Sequence, residues 1–263
     1  MHYRDKVVWI TGASSGIGEA LVYAFDKQQA KLVISARRAD ELERVKNQCT
    51  HTDKIFILPL DLADRASFKE KVNTVIQHSG YIDLVIHNAG ISQRSLAKDT
   101  DVSVDQKLME INYLGTVALT KAILPHFIER HSGHFAVVTS LVGKFGSPLR
   151  SGYAASKHAL HGFFDSLRAE IYRDNIKVTL ICPGFIHTNV SINALTGDGS
   201  SQNTMDRTTA NGLSPEVCAS RIIKALEHEK EEVLIGKTEA LAVYVKRFFP
   251  SLFSKVLRRA KVT

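Results

Sequence analysis

The chain has few cysteines and no long hydrophobic run. No apolar stretch reaches the roughly 18 to 20 residues that a membrane-spanning helix needs, and the first residues, "MHYRDKVVWITG", lack the long apolar stretch of a signal peptide. The three cysteines, Cys49, Cys182 and Cys218, are widely scattered and show neither metal-ligand spacing nor a C-x-x-C pair. These absences predict a cytoplasmic location, reduced structural thiols and no metal site.

Net charge is nearly absent from most of the chain. The formal net charge is +7, but six of the 34 basic residues lie between Leu241 and Thr263, where there is no acid, so 28 basic residues face 27 acidic ones elsewhere. A near-neutral body without a recognised binding motif does not favour a nucleic-acid partner.

Short β-branched segments alternate with helical ones along the chain. Seven segments are strand-like: "KVVWIT", "KLVISA", "KIFILPL", "IDLVIHNAG", "HFAVVTS", "IKVTLICPG" and "EEVLIG". This alternation predicts an α/β fold, a single doubly wound, Rossmann-like domain over residues 1–240, with a parallel seven-stranded sheet and helices on both faces. Residues 189–212 are polar and contain glycine, and we interpret them as a substrate loop because long loops in compact domains are usually functional or disordered.

Residues 241–263 form a basic amphipathic tail. After Pro250, "SLFSKVLRRAK" puts apolar residues on one helical face and basic residues toward the other. The apolar residues are Leu252, Phe253, Val256, Leu257 and Ala260. Such a helix either lies on an anionic membrane surface or packs on the body or a second subunit, and the sequence leaves both alternatives open.

"TGASSGIG", Thr11 to Gly18, lies between the first strand and a helix. Its spacing differs from G-x-G-x-x-G, but its glycines let the backbone turn tightly and approach a pyrophosphate, whose charge the free amides of the helix N-terminus stabilise. A purely structural turn is the alternative. As a nucleotide site, the motif predicts these cofactor contacts: Gly12, Ser14, Ser15, Gly16, Ile17 and Gly18.

The second strand ends in arginines where an NAD enzyme would carry an acid. In "ISARRAD", Arg37 and Arg38 occupy that place, roughly 20 residues after the glycine motif, and the first carboxylate is Asp40. Because guanidinium groups suit a phosphate on the ribose, we predict NADP(H) as the cofactor. Two solvated arginines at the start of a helix are the alternative.

Two further strand ends are candidate cofactor contacts. Asp61, followed by Leu62, ends the third strand, where its side chain can reach the adenine, although helix capping explains an Asp there equally well. "HNAG" ends the fourth strand in a turn that can pass close to the cofactor. The turn residues are Asn88, Ala89 and Gly90. We assign no catalytic role to His87.

Ser140, Tyr153 and Lys157 are candidate catalytic residues. Ser140 follows the fifth strand, and Tyr153 and Lys157 in "YAASK" share one face of a helix. Hydride transfer to a ketone needs an acid that protonates the developing alkoxide and a second donor that holds the oxygen. The tyrosine pKa of about 10 is too high for efficient work at neutral pH, and an ammonium one turn away can lower it. We therefore predict Tyr153 as the acid, Lys157 as the activating charge and Ser140 as the second donor.

These motifs together resemble the short-chain dehydrogenase/reductase family over residues 5–236. The matching segments are "TGASSGIG", "NAG", "INYLGT", "YAASK" and "PGFIHT". The resemblance implies a catalytic tetrad in which Asn112 joins the other three residues and holds a water in a proton relay from Lys157. It also implies that Tyr153 and Lys157 contact the cofactor, with a nicotinamide-side segment formed by Pro183, Gly184, Ile186 and Thr188. Two departures are His87, where Asn is commoner, and Ser15, where many NADP-preferring members carry a basic residue.

The C-terminal third resembles the member 7B-type branch of this family, in "PGFIHTNVSINALTGDGS", "TTANGLSPEVCA" and "LAVYVKRFFPSLF". The resemblance implies an NADP(H)-dependent oxidoreductase that interconverts a ketone and a secondary alcohol, with lipid-like ketones among its substrates, and a homodimer or homotetramer. Peripheral membrane contact through the tail is compatible with a cytoplasmic location. A non-catalytic NADP(H)-binding scaffold or redox sensor is the alternative, and the complete tetrad argues against it.

Overall fold

A seven-stranded parallel sheet forms the centre of the protein, whose computed structural model describes residues 2–260. The strands are β1 (Val7–Thr11), β2 (Lys31–Ser35), β3 (Ile55–Ile57), β4 (Leu84–His87), β5 (Gly133–Val138), β6 (Ile176–Pro183) and β7 (Glu232–Ile235). Their order is β3-β2-β1-β4-β5-β6-β7, and every pair is parallel. The predicted doubly wound fold is confirmed, with its switch point between β1 and β4, where such folds bind their ligands.

Helices connect the strands and follow the last one. They are α1 (Gly16–Asp26), α2 (Ala39–Asn47), α3 (Phe68–Ser79), α4 (Val102–Leu108), α5 (Thr116–Arg130), α6 (Ser151–Glu170), α7 (Arg207–Ala210), α8 (Pro215–Glu227), α9 (Leu241–Phe248) and α10 (Pro250–Leu257). A π-helical segment, Met109–Gly115, joins α4 to α5. Within residues 2–260, no helix has both the length and the apolar character that crossing a bilayer requires.

Both faces of the sheet are buried, which explains why the strands are almost continuously apolar. In β1, Val8 and Ile10 point into a cluster with α1 and α8. Their neighbours Val7 and Trp9 point to the opposite face, into a cluster with α3, α5 and α6. Successive side chains of a strand alternate between faces, so a strand covered on both sides needs apolar residues at every position.

Residues 189–212 are fixed to the segment that follows β4. The backbone N–H of Arg94 donates to the Leu195 carbonyl at 2.8 Å, and the N–H of Leu195 donates to the Ser92 carbonyl at 2.8 Å. This pairing brings the predicted substrate loop to the carboxyl end of β4, beside the switch point of the sheet.

The C-terminal tail forms two helices, α9 and α10, which meet at Pro250. Proline at the first position of a helix is favourable because its missing N–H has no partner there in any case. Phe253 of α10 is buried, and its ring centre lies 5.2 Å from that of Phe145. One face of the tail therefore packs on the body, whereas Leu252 and Val256 are exposed.

Candidate active site

The turn between β1 and α1 requires glycine for steric reasons. Gly12 has φ of 67°, and a Cβ on it would lie 2.8 Å from the Ala89 Cα. A Cβ on Gly18 would overlap the Gly12 carbonyl oxygen. Ser15, the N-cap residue of α1, makes no side-chain capping bond, so its hydroxyl does not cover the first amides of the helix. We call the turn from Gly12 to Gly18 the glycine cradle, and its shape suits the pyrophosphate of a dinucleotide.

Asn88 ties the turn after β4 to this glycine turn. Its Nδ2 donates to the Thr11 and Gly12 carbonyls, both at 3.1 Å. The Thr11 Oγ1 in turn accepts the backbone N–H groups of Asn88 and Ala89, at 3.1 and 3.2 Å. The sequence predicts these turn residues as cofactor contacts, and the structure places them directly against the cradle.

The carboxyl end of β2 presents two guanidinium groups. Arg37 and Arg38 are exposed, and neither side chain makes an ion pair or hydrogen bond with another residue of 2–260. Arg44, which the sequence analysis missed, instead donates to the Ser14 carbonyl at 3.2 Å and pairs with Glu19 at 2.8 Å. Arg44 thus supports the glycine turn, whereas Arg37 and Arg38 are available to a ligand.

Asp61 and Leu62 follow β3, as predicted, but their contacts are local. The Asp61 carboxylate accepts the N–H of Ala63 at 3.0 Å, so it caps its own turn. Leu62 is buried, and its carbonyl lies so close to Gly115 that a Cβ there would overlap it. The Asp61 side chain therefore stabilises the turn at Ala63, and the N-cap position of the next helical segment belongs to Asp64. The adenine contact of Asp61 stays a prediction.

Ser140, Tyr153 and Lys157 come together at the carboxyl end of β5. The Lys157 Nζ donates to the Val138 carbonyl at 2.9 Å and lies 5.7 Å from the centre of the Tyr153 ring. The Ser140 Oγ donates to the Pro183 carbonyl at 3.3 Å, and the Ser140 side chain is near enough to Tyr153 to lower the pKa of its phenol. The predicted Ser, Tyr and Lys therefore share one site despite their separation along the chain.

Asn112 lies in the π-helical segment, beside the same site. Its Oδ1 accepts the N–H of Ile91 at 2.9 Å, and its Nδ2 donates to the Ile91 carbonyl and the Ser156 Oγ, each at 3.0 Å. A Cβ on Gly90 would lie 3.0 Å from the Asn112 Oδ1 and 3.5 Å from the Lys157 Nζ. The amide therefore ties the β4 turn to α6, and the water-relay role stays a prediction.

The electrostatics of Tyr153 differ from the expectation in one respect. Burial raises the pKa of Tyr153, while the hydrogen bond with Ser140 and the positive charges of Arg94 and Arg150 lower it. The spacing of Tyr153 and Lys157 predicts that Lys157 supplies the lowering charge, whereas in the structure two arginines from other segments supply it. Burial also lowers the pKa of Lys157, to about 8.

Both arginines belong to a buried ionic cluster around Asp206, which lies in the predicted substrate loop. Arg94 pairs with the Asp206 carboxylate at 2.6 Å, and Arg150, just before α6, lies 3.5 Å from it. These side chains are only 2 to 6% exposed. The cluster joins three segments that converge on Tyr153. No local pattern reveals it, because Asp206 is 112 residues from Arg94 and 56 from Arg150.

Gln93 caps the helix that carries the tyrosine. Its buried Oε1 accepts the backbone N–H groups of Gly152 and Tyr153 at 2.9 and 3.2 Å, and its Nε2 donates to the Ser95 Oγ at 3.1 Å. First-turn amides of a helix have no intrahelical acceptor, so this side chain satisfies two of them from a remote segment. A lone Gln has no sequence signal for such a role, so this residue could not be predicted from the sequence.

The segment predicted to lie beside the nicotinamide begins at Pro183, the last residue of β6, and continues beyond the strand. The N–H of Gly184 donates to the Ile235 carbonyl at 2.7 Å, and Ile186 is buried. The Thr188 Cγ2 would lie 3.0 Å from a Cβ on Gly16. Thr188 therefore lies against the glycine cradle.

His87 lies in the core. Its Nε2 is 2.9 Å from the Thr120 Oγ1, its ring stacks on Phe135, and burial lowers its pKa to about 3. This neutral, buried imidazole packs and hydrogen-bonds locally in the core.

The sheet order, the glycine cradle at the switch point and the Ser, Tyr and Lys at the next strand end define a dinucleotide-binding α/β oxidoreductase. The family model described as short chain dehydrogenase matches residues 6–198. The chain belongs to the short-chain dehydrogenase/reductase family of oxidoreductases, which use a nicotinamide cofactor, and the steric cradle of Gly12 and Gly18 fits one.

Two relatives match almost the whole chain. The "Dehydrogenase/reductase SDR family protein 7-like" of Anopheles gambiae is 46% identical over 98% of this chain and 84% of its own length. The "Dehydrogenase/reductase SDR family member 7B" of Mus musculus is 43% identical over 97% of this chain and 81% of its own length. The resemblance to the 7B-type branch is thereby confirmed.

Two solved structures share the fold at lower identity. A short chain dehydrogenase/reductase from Burkholderia phymatum in complex with NAD has a TM-score of 0.84 and 18% identity, covering 96% of each chain. An alcohol dehydrogenase from Thermococcus sibiricus complexed with 5-hydroxy-NADP has a TM-score of 0.74 and 24% identity, covering 89% of this chain and 97% of its own.

Proposed function

We propose that the protein is an NADP(H)-dependent carbonyl reductase or alcohol dehydrogenase that interconverts a ketone and a secondary alcohol. The observation that carries the proposal is the convergence of Ser140, Tyr153 and Lys157 beside the glycine cradle. Lipid-like ketones belong to the proposed substrate class because of the resemblance to the 7B-type branch.

Each residue of the site has a distinct task in this reaction. The cofactor supplies the hydride for reduction and accepts it in oxidation. The Tyr153 hydroxyl gives its proton to the developing alkoxide, and the Ser140 Oγ donates a second hydrogen bond to the same oxygen. The Lys157 ammonium, held by the Val138 carbonyl, is available to the ribose hydroxyls of the cofactor.

Positive charge around Tyr153 sets how readily the phenol ionises. Arg94 and Arg150 stabilise the phenolate left after proton donation, and they oppose the effect of burial on the Tyr153 pKa. In the oxidation direction that phenolate is the base that takes the alcohol proton.

A panel of lipid, steroid and small ketones assayed with NADPH tests the reaction. We expect oxidation of NADPH with at least one ketone class. Binding of NADPH without oxidation by any ketone would favour the scaffold or redox-sensor alternative. The thiols give that alternative no support, because burial raises the pKa of Cys49, Cys182 and Cys218 to about 12, whereas redox-sensing cysteines have lowered pKa values.

Replacement of Arg37 by Asp tests the preference for NADP(H). Arg37 and Arg38 are exposed at the end of β2 without partners among residues 2–260, so they are free to bind the ribose phosphate. We expect Arg37→Asp to weaken NADPH binding relative to NADH by about tenfold or more, since a charge-assisted hydrogen bond is lost and a repulsion is gained. Fluorescence titration with both coenzymes measures this ratio.

The matched control is Lys27→Asp, which makes the same charge change at an exposed position just after α1, at the opposite end of the sheet. It should leave the ratio of the two affinities unchanged. If Arg37→Asp behaved like the control, the ribose-phosphate assignment would be wrong.

Replacement of Gln93 by Met tests its positioning role. Met keeps the length of the side chain but cannot accept the N–H groups of Gly152 and Tyr153. We expect kcat to fall by about tenfold, which corresponds to an activation free energy that is ~1.4 kcal/mol higher. The pH profile of kcat should also shift, because a displaced α6 moves the phenol away from its partners. Steady-state kinetics across pH give both quantities.

Gln93→Glu retains the acceptor and should restore most of kcat. The NADPH KM should stay nearly constant in both variants. A loss of stability without any shift of the pH profile, or a failure of Glu to rescue, would show that Gln93 is only a packing residue.

A further inference from the structure

The outer face of α9 and α10 is densely apolar. Six of the thirteen exposed large apolar side chains among residues 2–260 lie in this short segment, and they are 53 to 68% exposed. They are Leu241, Tyr244, Phe248, Phe249, Leu252 and Val256. Three of them recur along α9 at spacings of three and four, and the other three repeat that spacing into α10, so each helix presents one apolar stripe to solvent. Contiguous exposed apolar surface of this kind marks an interaction site.

A different face of the same helices anchors them to the body. Phe253 packs edge-on against Phe145, and Leu257 joins the cluster that contains Leu141. The Lys246 Nζ lies 5.8 Å from the centre of the Phe253 ring. The exposed stripe is therefore separate from the apolar face that packs on the body. That packing holds the stripe in a fixed orientation.

The charges around this stripe are all of one sign. Five basic residues lie between 241 and 260, and this segment has no acid. They are Lys246, Arg247, Lys255, Arg258 and Arg259. None of the five forms an ion pair with any part of the chain that the structure describes. The surface thus combines exposed aromatic and aliphatic side chains with uncompensated positive charge.

We propose that α9 and α10 bind an anionic lipid bilayer, with the apolar stripe at the acyl boundary and the basic residues against the headgroups. An anionic bilayer supplies an apolar phase that covers the exposed stripe and negative charge that balances the basic residues. A two-fold contact of this face with a second copy would cover the apolar residues but bring together five basic groups from each copy. Charge complementarity therefore favours lipid over self-association, and this contact does not depend on the coenzyme or the ketone.

Vesicle co-sedimentation of the full chain tests the proposal. We expect the protein to bind vesicles of phosphatidylcholine and phosphatidylserine in about equal parts, to bind pure phosphatidylcholine weakly, and to dissociate as salt rises. Two double variants address the two contributions. Phe248→Ser with Leu252→Ser removes apolar contacts, and Lys255→Glu with Arg259→Glu reverses charge. Each should lower partitioning onto anionic vesicles by about tenfold or more.

The matched control is Val102→Ser with Tyr172→Ser, because both residues are 66% exposed and lie outside the tail. It should bind vesicles like the unmodified protein. Analytical ultracentrifugation of the same variants identifies the competing occupant. The proposal is overturned if the unmodified protein ignores anionic vesicles, if the control loses as much binding, or if the apolar double variant dissociates an oligomer without changing vesicle binding.

Discussion

Tyr153→Phe is expected to lower kcat by about 10²- to 10⁴-fold, the range that a positioned general acid contributes. The variant loses only the hydroxyl that donates the proton to the developing alkoxide. The backbone N–H of Tyr153 keeps its bond to Gln93, so the start of α6 stays capped. The affinity for NADPH should therefore remain nearly unchanged, and a fluorescence titration alongside the kinetic assay separates binding from turnover.

Tyr172→Phe is the matched control for this experiment. Tyr172 is 66% exposed, and its hydroxyl only accepts a hydrogen bond from Arg173 at 2.6 Å. Its removal should leave kcat unchanged. Full activity of Tyr153→Phe would show that another group is the acid, and the proposed roles of Ser140 and Lys157 would then have to be revised as well.

Asp206→Asn is expected to reduce the free energy of unfolding by about 3 to 5 kcal/mol, the usual consequence of removing one partner of a buried ion pair. Asp206 is 2% exposed and pairs with Arg94 at 2.6 Å. The neutral amide leaves that guanidinium out of water without its counter-charge. Because Asp206 belongs to residues 189–212 and Arg94 to the segment after β4, we expect the loss also to loosen residues 189–212. Urea denaturation measures the difference.

Asp165→Asn provides the comparison with an exposed pair. Asp165 is 55% exposed and pairs with Arg168 at 2.7 Å on the surface of α6. Its loss should cost less than about 1 kcal/mol, because water and salt screen surface ion pairs. Equal effects of the two substitutions would mean that the buried cluster contributes no more stability than a surface pair.

The fold could be predicted because its signals are local. Each strand is a short β-branched segment, and β1 shows why, since Val7 and Trp9 are buried on one face and Val8 and Ile10 on the other. The parallel arrangement follows because helices separate consecutive strands. The packing of the C-terminal tail could not be predicted, since amphipathicity alone does not decide whether an apolar face packs on protein. The structure shows two apolar faces, and only the one with Phe253 is buried.

The proximity of the candidate reacting groups could also be predicted, but their surroundings could not. Tyr153 and Lys157 are four residues apart on one helix, which the sequence displays directly. The cations that lower the Tyr153 pKa are Arg94 and Arg150, which carry no motif. Gln93 is equally inconspicuous until its Oε1 is seen beside the first amides of α6.

The sequence by itself determined the doubly wound sheet, the glycine turn and the membership of Ser140, Tyr153 and Lys157 in one site. These depend on strand periodicity, on helical spacing and on steric needs within a single turn, all of which act over a few residues. The tertiary structure alone decided which charges surround the phenol, which side chain caps α6 and which face of the tail remains exposed. Those contacts join segments up to 112 residues apart, and packing of the whole chain, rather than any local pattern, brings them together.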